Sequence, residues 1–166
     1  EGRFEISDVP VGGSNATGRF NGNGVDLNRN FDCRWKAEGI WGTRKVSCGK
    51  EPFSEPESLA IKKFILEKKP GAVVFWHSKS NGVYASYCEE DILVETRDIM
   101  NAYSKASGYP PYDTFTQYEV TGDASDWLAS IGIPAISVEL KTHETIEWKE
   151  NLAGIKALLE YYENKE

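Results

Sequence analysis

Three places along the chain carry residues whose types and spacing suit chemistry. The stretch "GVDLNRNFD", residues 24–32, sets an amide, a guanidinium and a second amide in a row at Asn28, Arg29 and Asn30. Such a run is either a polar turn or a claw for an anion, because a guanidinium grips a carboxylate through two parallel charge-assisted hydrogen bonds. His77 closes "AVVFWH", residues 72–77, an otherwise apolar run. Glu139 stands near the end of "IPAISVEL", residues 133–140. A buried carboxylate is costly unless it is paired or bound to something, and ligands of open α/β sheets bind where strands end. Taken singly, His77 reads as a satisfied structural histidine, and Glu139 reads equally as a capping or salt-bridged carboxylate or as a catalytic one. Together with Asn28 and Arg29 they outline a site.

The elements that must position these residues follow from periodicity. Both apolar runs are short and rich in β-branched residues, which predicts buried strands of a mostly parallel sheet. "SEPES", residues 54–58, predicts a helix start, with Ser54 as cap, Glu57 completing a capping box and Ile61, Phe64 and Ile65 as its apolar stripe. That helix ends near "KKPG". A long helix is predicted from Glu89 to Lys105, with Ile92, Thr96, Ile99 and Tyr103 on one face. "GDASDWLASIG", residues 122–132, predicts a short helix with an Asp cap and a closing Gly. A last amphipathic helix is predicted over 146–162, with Leu152, Ile155, Leu159 and Tyr162 on its apolar face. Residues 1–24, rich in Gly, Asn and Ser, read as loop. The whole is one α/β domain, residues 1–166, with a mixed, mostly parallel central sheet and helices on both faces.

With 40% hydrophobic and 12% aromatic residues, a chain of this length can bury a core. A formal net charge of -7 disfavours nucleic acid and anionic membranes as partners, and no apolar run approaches the roughly 18 residues of a membrane span. Of three cysteines, Cys33 and Cys48 flank a loop that a bridge would stabilise by about 3 kcal/mol. Three buried thiols is the alternative. Asn15 opens a glycosylation triplet of a kind that is common by chance.

In chain order, "GRFNGNGVDLNRNFD", "PFSEPES", "FWHSKSNG", "YEVTGDASDW" and "IGIPAISVEL" resemble the zinc carboxypeptidases of the carboxypeptidase A type, the family M14 metallopeptidases. The resemblance covers nearly the whole chain. It implies that Asn28 and Arg29 hold the free C-terminal carboxylate of a peptide or protein substrate. It implies that Arg19 polarises the scissile carbonyl and stabilises the oxyanion, that His77 is a zinc ligand, and that Tyr118 closes over bound substrate. Glu139 matches the general base, which takes a proton from water at the zinc and passes it to the leaving amine. Asp123 lies where an acidic residue, in some relatives, favours a basic terminal residue; a helix N-cap is the other reading. Ser125 occupies a pocket-lining position, and a small polar pocket also suits peptidoglycan stem peptides. The family context points to an extracellular or extracytoplasmic setting.

Two departures accompany the resemblance. The family's other zinc ligands lie in an HxxE motif, which this chain lacks; its second histidine, His143, reads as a loop residue. The family domain is also about twice as long, so these residues match its C-terminal part, and an exposed sheet edge with apolar surface is expected. An enzyme and an inactive carboxylate-binding module both remain open at this point.

Overall fold

The computed structural model describes residues 18–89 and 91–165. The chain enters through a 3₁₀ turn, Leu27–Arg29, and a hairpin of β1 (Glu38–Trp41) and β2 (Arg44–Ser47). Helix α1 (Pro56–Lys68) leads to β3 (Val73–Ser78) and β4 (Gly82–Ala85). Then come α2 (Val94–Ser107), β5 (Pro111–Tyr112), α3 (Ala124–Ser130), β6 (Ala135–Leu140) and α4 (Trp148–Glu163).

The two apolar runs become β3 and β6. They pair in parallel, with Val73 beside Ala135 and His77 beside Glu139. The sheet order is β3-β6-β4-β5, with β4 antiparallel to β6 and parallel to β5. Alternation along β6 divides its side chains between two cores. Ile136 and Val138 join Ile99, Met100 and Tyr103 of α2 and Leu158 of α4 on one face. On the other, Ala135 meets Ile65 of α1 and Trp127 and Leu128 of α3. Each of the Ile, Val, Leu and Met side chains among them, fully buried, contributes about 1.5–3 kcal/mol. Gly154 lets α4 approach α2 closely, since a Cβ there would lie 2.4 Å from the Tyr103 ring.

The exit of β6 is fastened by a partly buried polar network. Tyr103 Oη and Trp76 Nε1 both donate to Asn151 Oδ1, at 2.7 and 3.0 Å. Glu147 accepts from the backbone of Lys141 and Thr142, at 2.8 and 3.3 Å. The strand that carries Glu139 therefore leaves the sheet along a fixed path.

Several expectations change. Glu55, not Ser54, is the N-cap of α1, without a side-chain cap bond, and Pro56 supplies the first turn; the Ser54 hydroxyl is drawn away by Asn30 and Glu55. Of the predicted α1 stripe only Ile65 is buried, while Ile61 and Phe64 are exposed. Helix α2 begins at Val94 rather than Glu89, leaving Ile92 buried just ahead of it. On α4 the buried side is Asn151, Gly154 and Leu158, and Leu159 faces out. The hairpin, β4 and β5 were not predicted. Strand β3 lies at one edge of the four, and Trp76 on it and Phe64 and Leu66 on α1 are exposed.

The disulfide joins Cys33 to Cys88, not to Cys48. Cys48 is free and buried beneath the hairpin. A bridge across 55 positions is worth about 4 kcal/mol through the unfolded chain, more than the short loop considered above would give. Residues 1–17, including Asn15, lie outside the described residues.

Candidate active site

Register partners on parallel strands point to the same side of a sheet. His77 and Glu139 are such partners, and both reach the face that carries α3. The Glu139 carboxylate is largely buried. Its Oε2 has no hydrogen-bond partner among the described residues. Burial, then the nearby charge of Asp123, push its pKa up to about 7, against the opposing pull of the Ser80 N–H and Arg19. Burial also lowers the His77 pKa, with Arg19 and Arg29 adding to the effect and Asp123 opposing it. That direction favours the neutral imidazole, the form a metal ligand needs.

The 3₁₀ turn brings the amide–guanidinium run to the same place. Asp26 starts it, accepting from Asn28 N at 3.2 Å and pairing with Arg19 at 2.7 Å. Arg19 also lies 4.5 Å from the centre of the Trp41 ring. Arg29 is 2% exposed and is oriented by backbone carbonyls. Its Nε and one terminal nitrogen donate to Ile40 O at 3.2 and 3.1 Å, and the other donates to Asn28 O at 2.6 Å. Its remaining N–H groups are left for a ligand. The β1–β2 hairpin is therefore what aims Arg29.

Asn30 has a different task. It is fully buried, and its amide donates to Cys48 O, Glu51 O and Ser54 Oγ at 2.7, 3.1 and 3.1 Å. Its carbonyl accepts from Glu55 N and Ser58 Oγ at 3.2 and 2.5 Å. Asn30→Ala should destabilise the fold by about 3 kcal/mol, since several buried polar groups lose their partner at once. A urea unfolding midpoint close to that of the parent chain would show that Asn30 is not this hub.

Asp123 caps α3, accepting from Ser125 N and Asp126 N at 2.8 and 3.1 Å. Its second oxygen accepts from Asn28 Nδ2 at 2.7 Å, and Asn28 Oδ1 accepts from Ala124 N at 3.2 Å. Gly122, at φ 63°, lets the two segments touch, because a Cβ there would lie 2.3 Å from Arg29 O. Nearby, Arg34 pairs with Asp126, also at the start of α3.

A cleft of about 250 Å³ opens above these groups. Arg19, Asn28, Arg29, His77, Tyr118, Asp123 and Glu139 all line it, as does Ser125. Tyr118 stands against Phe115, ring centres 4.9 Å apart, on the loop before α3. The wall also contains Trp41, Arg34, Tyr87 and Ser137, which sequence reasoning missed. A signal for the first existed: "GIWGTRKVS" alternates around a Gly-Thr pair, as a hairpin does. His143 does not line the cleft; it is exposed and hydrogen-bonds Ser78 Oγ at 2.7 Å.

A catalytic zinc takes three protein ligands. Among the described residues no three His, Cys, Asp or Glu gather to hold a metal. His77 fits one corner of such a site, with the orphaned Glu139 oxygen on the neighbouring strand. The described residues do not complete it.

A family profile described as zinc carboxypeptidase matches residues 10–157. The chain is 31% identical over 139 residues to carboxypeptidase O of Bos taurus, covering 74% of this chain and 37% of that protein. It is 28% identical to gamma-D-glutamyl-L-diamino acid endopeptidase 1 of Lysinibacillus sphaericus, covering 74% and 31%. The chain thus spans about a third of the length of these relatives. Among solved structures it resembles the murein-tripeptide amidase of Escherichia coli O157, with a TM-score of 0.67 and 26% identity, over 84% of this chain and 59% of that one.

Proposed function

The chain belongs to the zinc carboxypeptidase family, and on that premise we propose that the protein is a metallocarboxypeptidase, hydrolysing the C-terminal peptide bond of peptides or proteins. The observation that carries this reading is the meeting of an aimed guanidinium, Arg29, with a poised carboxylate, Glu139, in one cleft. Arg29 and Asn28 bind the terminal carboxylate of the substrate. Arg19 stabilises the oxyanion, Tyr118 covers the bound residue, and Glu139 takes and returns the proton. His77 would hold zinc together with ligands from outside the described residues, and the metal would supply Lewis acidity there. Asp123, whose charge reaches Glu139 and His77, favours a basic terminal residue.

Residues 1–166 then form the C-terminal portion of the catalytic domain. The Cys33–Cys88 bridge suits an oxidising, extracytoplasmic compartment. No helix among the described residues is long and apolar enough to cross a membrane.

Two further readings have an observation each. The small polar side chains of Ser125 and Ser137 on the cleft wall, with the likeness to a murein-tripeptide amidase, favour peptidoglycan stem peptides as the substrate. The incomplete metal site among the described residues favours a carboxylate-binding module without activity.

Paired peptides that differ only in a free or amidated C-terminus test the common premise. The free form should bind at least about tenfold tighter, the value of a charge-assisted bidentate contact. Arg29→Ala should erase that difference. Equal binding of the two forms by the parent chain would refute the terminal-carboxylate role, and hydrolysis or its absence in a form of the protein loaded with zinc separates enzyme from module.

A further inference from the structure

Arg19 is tied to the protein at a single point. Its Nε and one terminal nitrogen both reach the same oxygen of Asp26, Oδ2, at 2.8 and 2.7 Å. Asp26 is 1% exposed, and its other oxygen accepts from Asn28 N at 3.2 Å. Two N–H groups that share one acceptor atom fix where the guanidinium is held. They leave its plane free to swing about that atom, unlike a pair of parallel bonds to two oxygens. The second terminal nitrogen of Arg19 makes no hydrogen bond among the described residues.

The indole of Trp41 limits that swing. Its ring centre lies 4.5 Å from the guanidinium carbon, where an aromatic face attracts a cation as well as blocking its path. The indole is itself held. Phe20 meets it edge-on, ring centres 6.3 Å apart, and Arg44, its register partner across the hairpin, lies 5.7 Å from its centre. Trp41 closes β1 and directly follows Ile40, whose carbonyl accepts two bonds from Arg29. One strand end therefore places two guanidiniums of the cleft, Arg29 through a backbone oxygen and Arg19 through a side chain.

We propose that Trp41 is a positioning residue for the reaction, whose indole face holds the Arg19 guanidinium where the scissile carbonyl develops its charge. The inference rests on the reading in which Arg19 stabilises the oxyanion. Trp41 acts through Arg19, so its removal should weaken binding of the tetrahedral anion and spare binding of the planar amide.

Calorimetry on the 166-residue chain in a chelating buffer tests this without the metal. The probes are two acetylated dipeptides that end in lysine, one with its amide bond and one with a phosphinate in place of that bond. The phosphinate should bind about tenfold tighter than the amide, or more, and Arg19→Ala should erase the difference. Trp41→Leu should cut the advantage by about fivefold, and Trp41→Phe, which keeps a ring face, should retain most of it. The amide peptide, held through Arg29, should bind every variant and so reports that each is folded. In a form of the protein that holds zinc, Trp41→Leu should lower turnover by a similar factor and leave the Michaelis constant in place. A full phosphinate advantage in Trp41→Leu overturns the inference and leaves Arg19 in its role. Equal losses for the two peptides, or a raised Michaelis constant with turnover unchanged, also overturn it, since Trp41 would then touch the substrate itself. If the parent chain shows no phosphinate advantage, the Arg19 reading falls and this inference falls with it.

Discussion

The 166-residue chain by itself should bind zinc weakly and hydrolyse no peptide. The sequence has two histidines; one lines the cleft and the other is exposed outside it. Glu139 is shaped for a proton rather than for a metal, with one oxygen buried and unpartnered and its pKa raised to about 7. A full set of ligands gives a zinc site about 10–16 kcal/mol of binding free energy at neutral pH, and one imidazole supplies a small share of it. A zinc titration against a chromogenic competitor, run beside a peptidase assay, measures both parts. Tight one-to-one zinc binding with chelator-sensitive hydrolysis would show that the 166 residues complete a site and would overturn this expectation.

In a form of the protein that does hold zinc, Glu139→Gln should lower turnover by about 10²–10⁴-fold and leave the Michaelis constant nearly unchanged. Glutamine keeps the shape of the side chain and can still accept from Ser80 N, the one bond that favours the charged carboxylate in place. It cannot take a proton. Because the substrate's terminal carboxylate is assigned to Arg29 and Asn28, its affinity does not depend on residue 139. The contrast with Arg29→Ala is the useful part: that change should act on binding and on the preference for a free C-terminus. Turnover that survives Glu139→Gln would remove Glu139 from the chemistry, whatever the family resemblance implies.

How much of this was legible beforehand differs from element to element. Strands β3 and β6 could be read because a fully buried strand needs an unbroken apolar run, and that demand is local. Helix α3 could be read because Asp123 and Gly132 mark its two ends. The hairpin and the short β4 and β5 were not found. They are brief, and β4 owes its place to pairing with β6 and to helix α2 rather than to any pattern of its own. Helix α1 was misjudged at its face, since Ile61 and Phe64 look like core residues and stand exposed.

The candidate site divides along the same line. By itself the sequence determined which residue types were available: a guanidinium between amides, a histidine and a glutamate at strand ends, an aspartate before a short helix. The tertiary structure alone decided what each one faces. Arg29 is aimed by the carbonyl of Ile40, a residue of the hairpin. Asn30, its neighbour in the same run, turned inward to become a buried hub. Asp123 caps α3, and its charge also reaches the cleft. Cys33 found Cys88 rather than the nearer Cys48. The physical reason is common to all four. Composition and period act through neighbours in the chain, whereas the partner of a polar group is whichever atom the packed sheet and helices bring within about 3 Å of it.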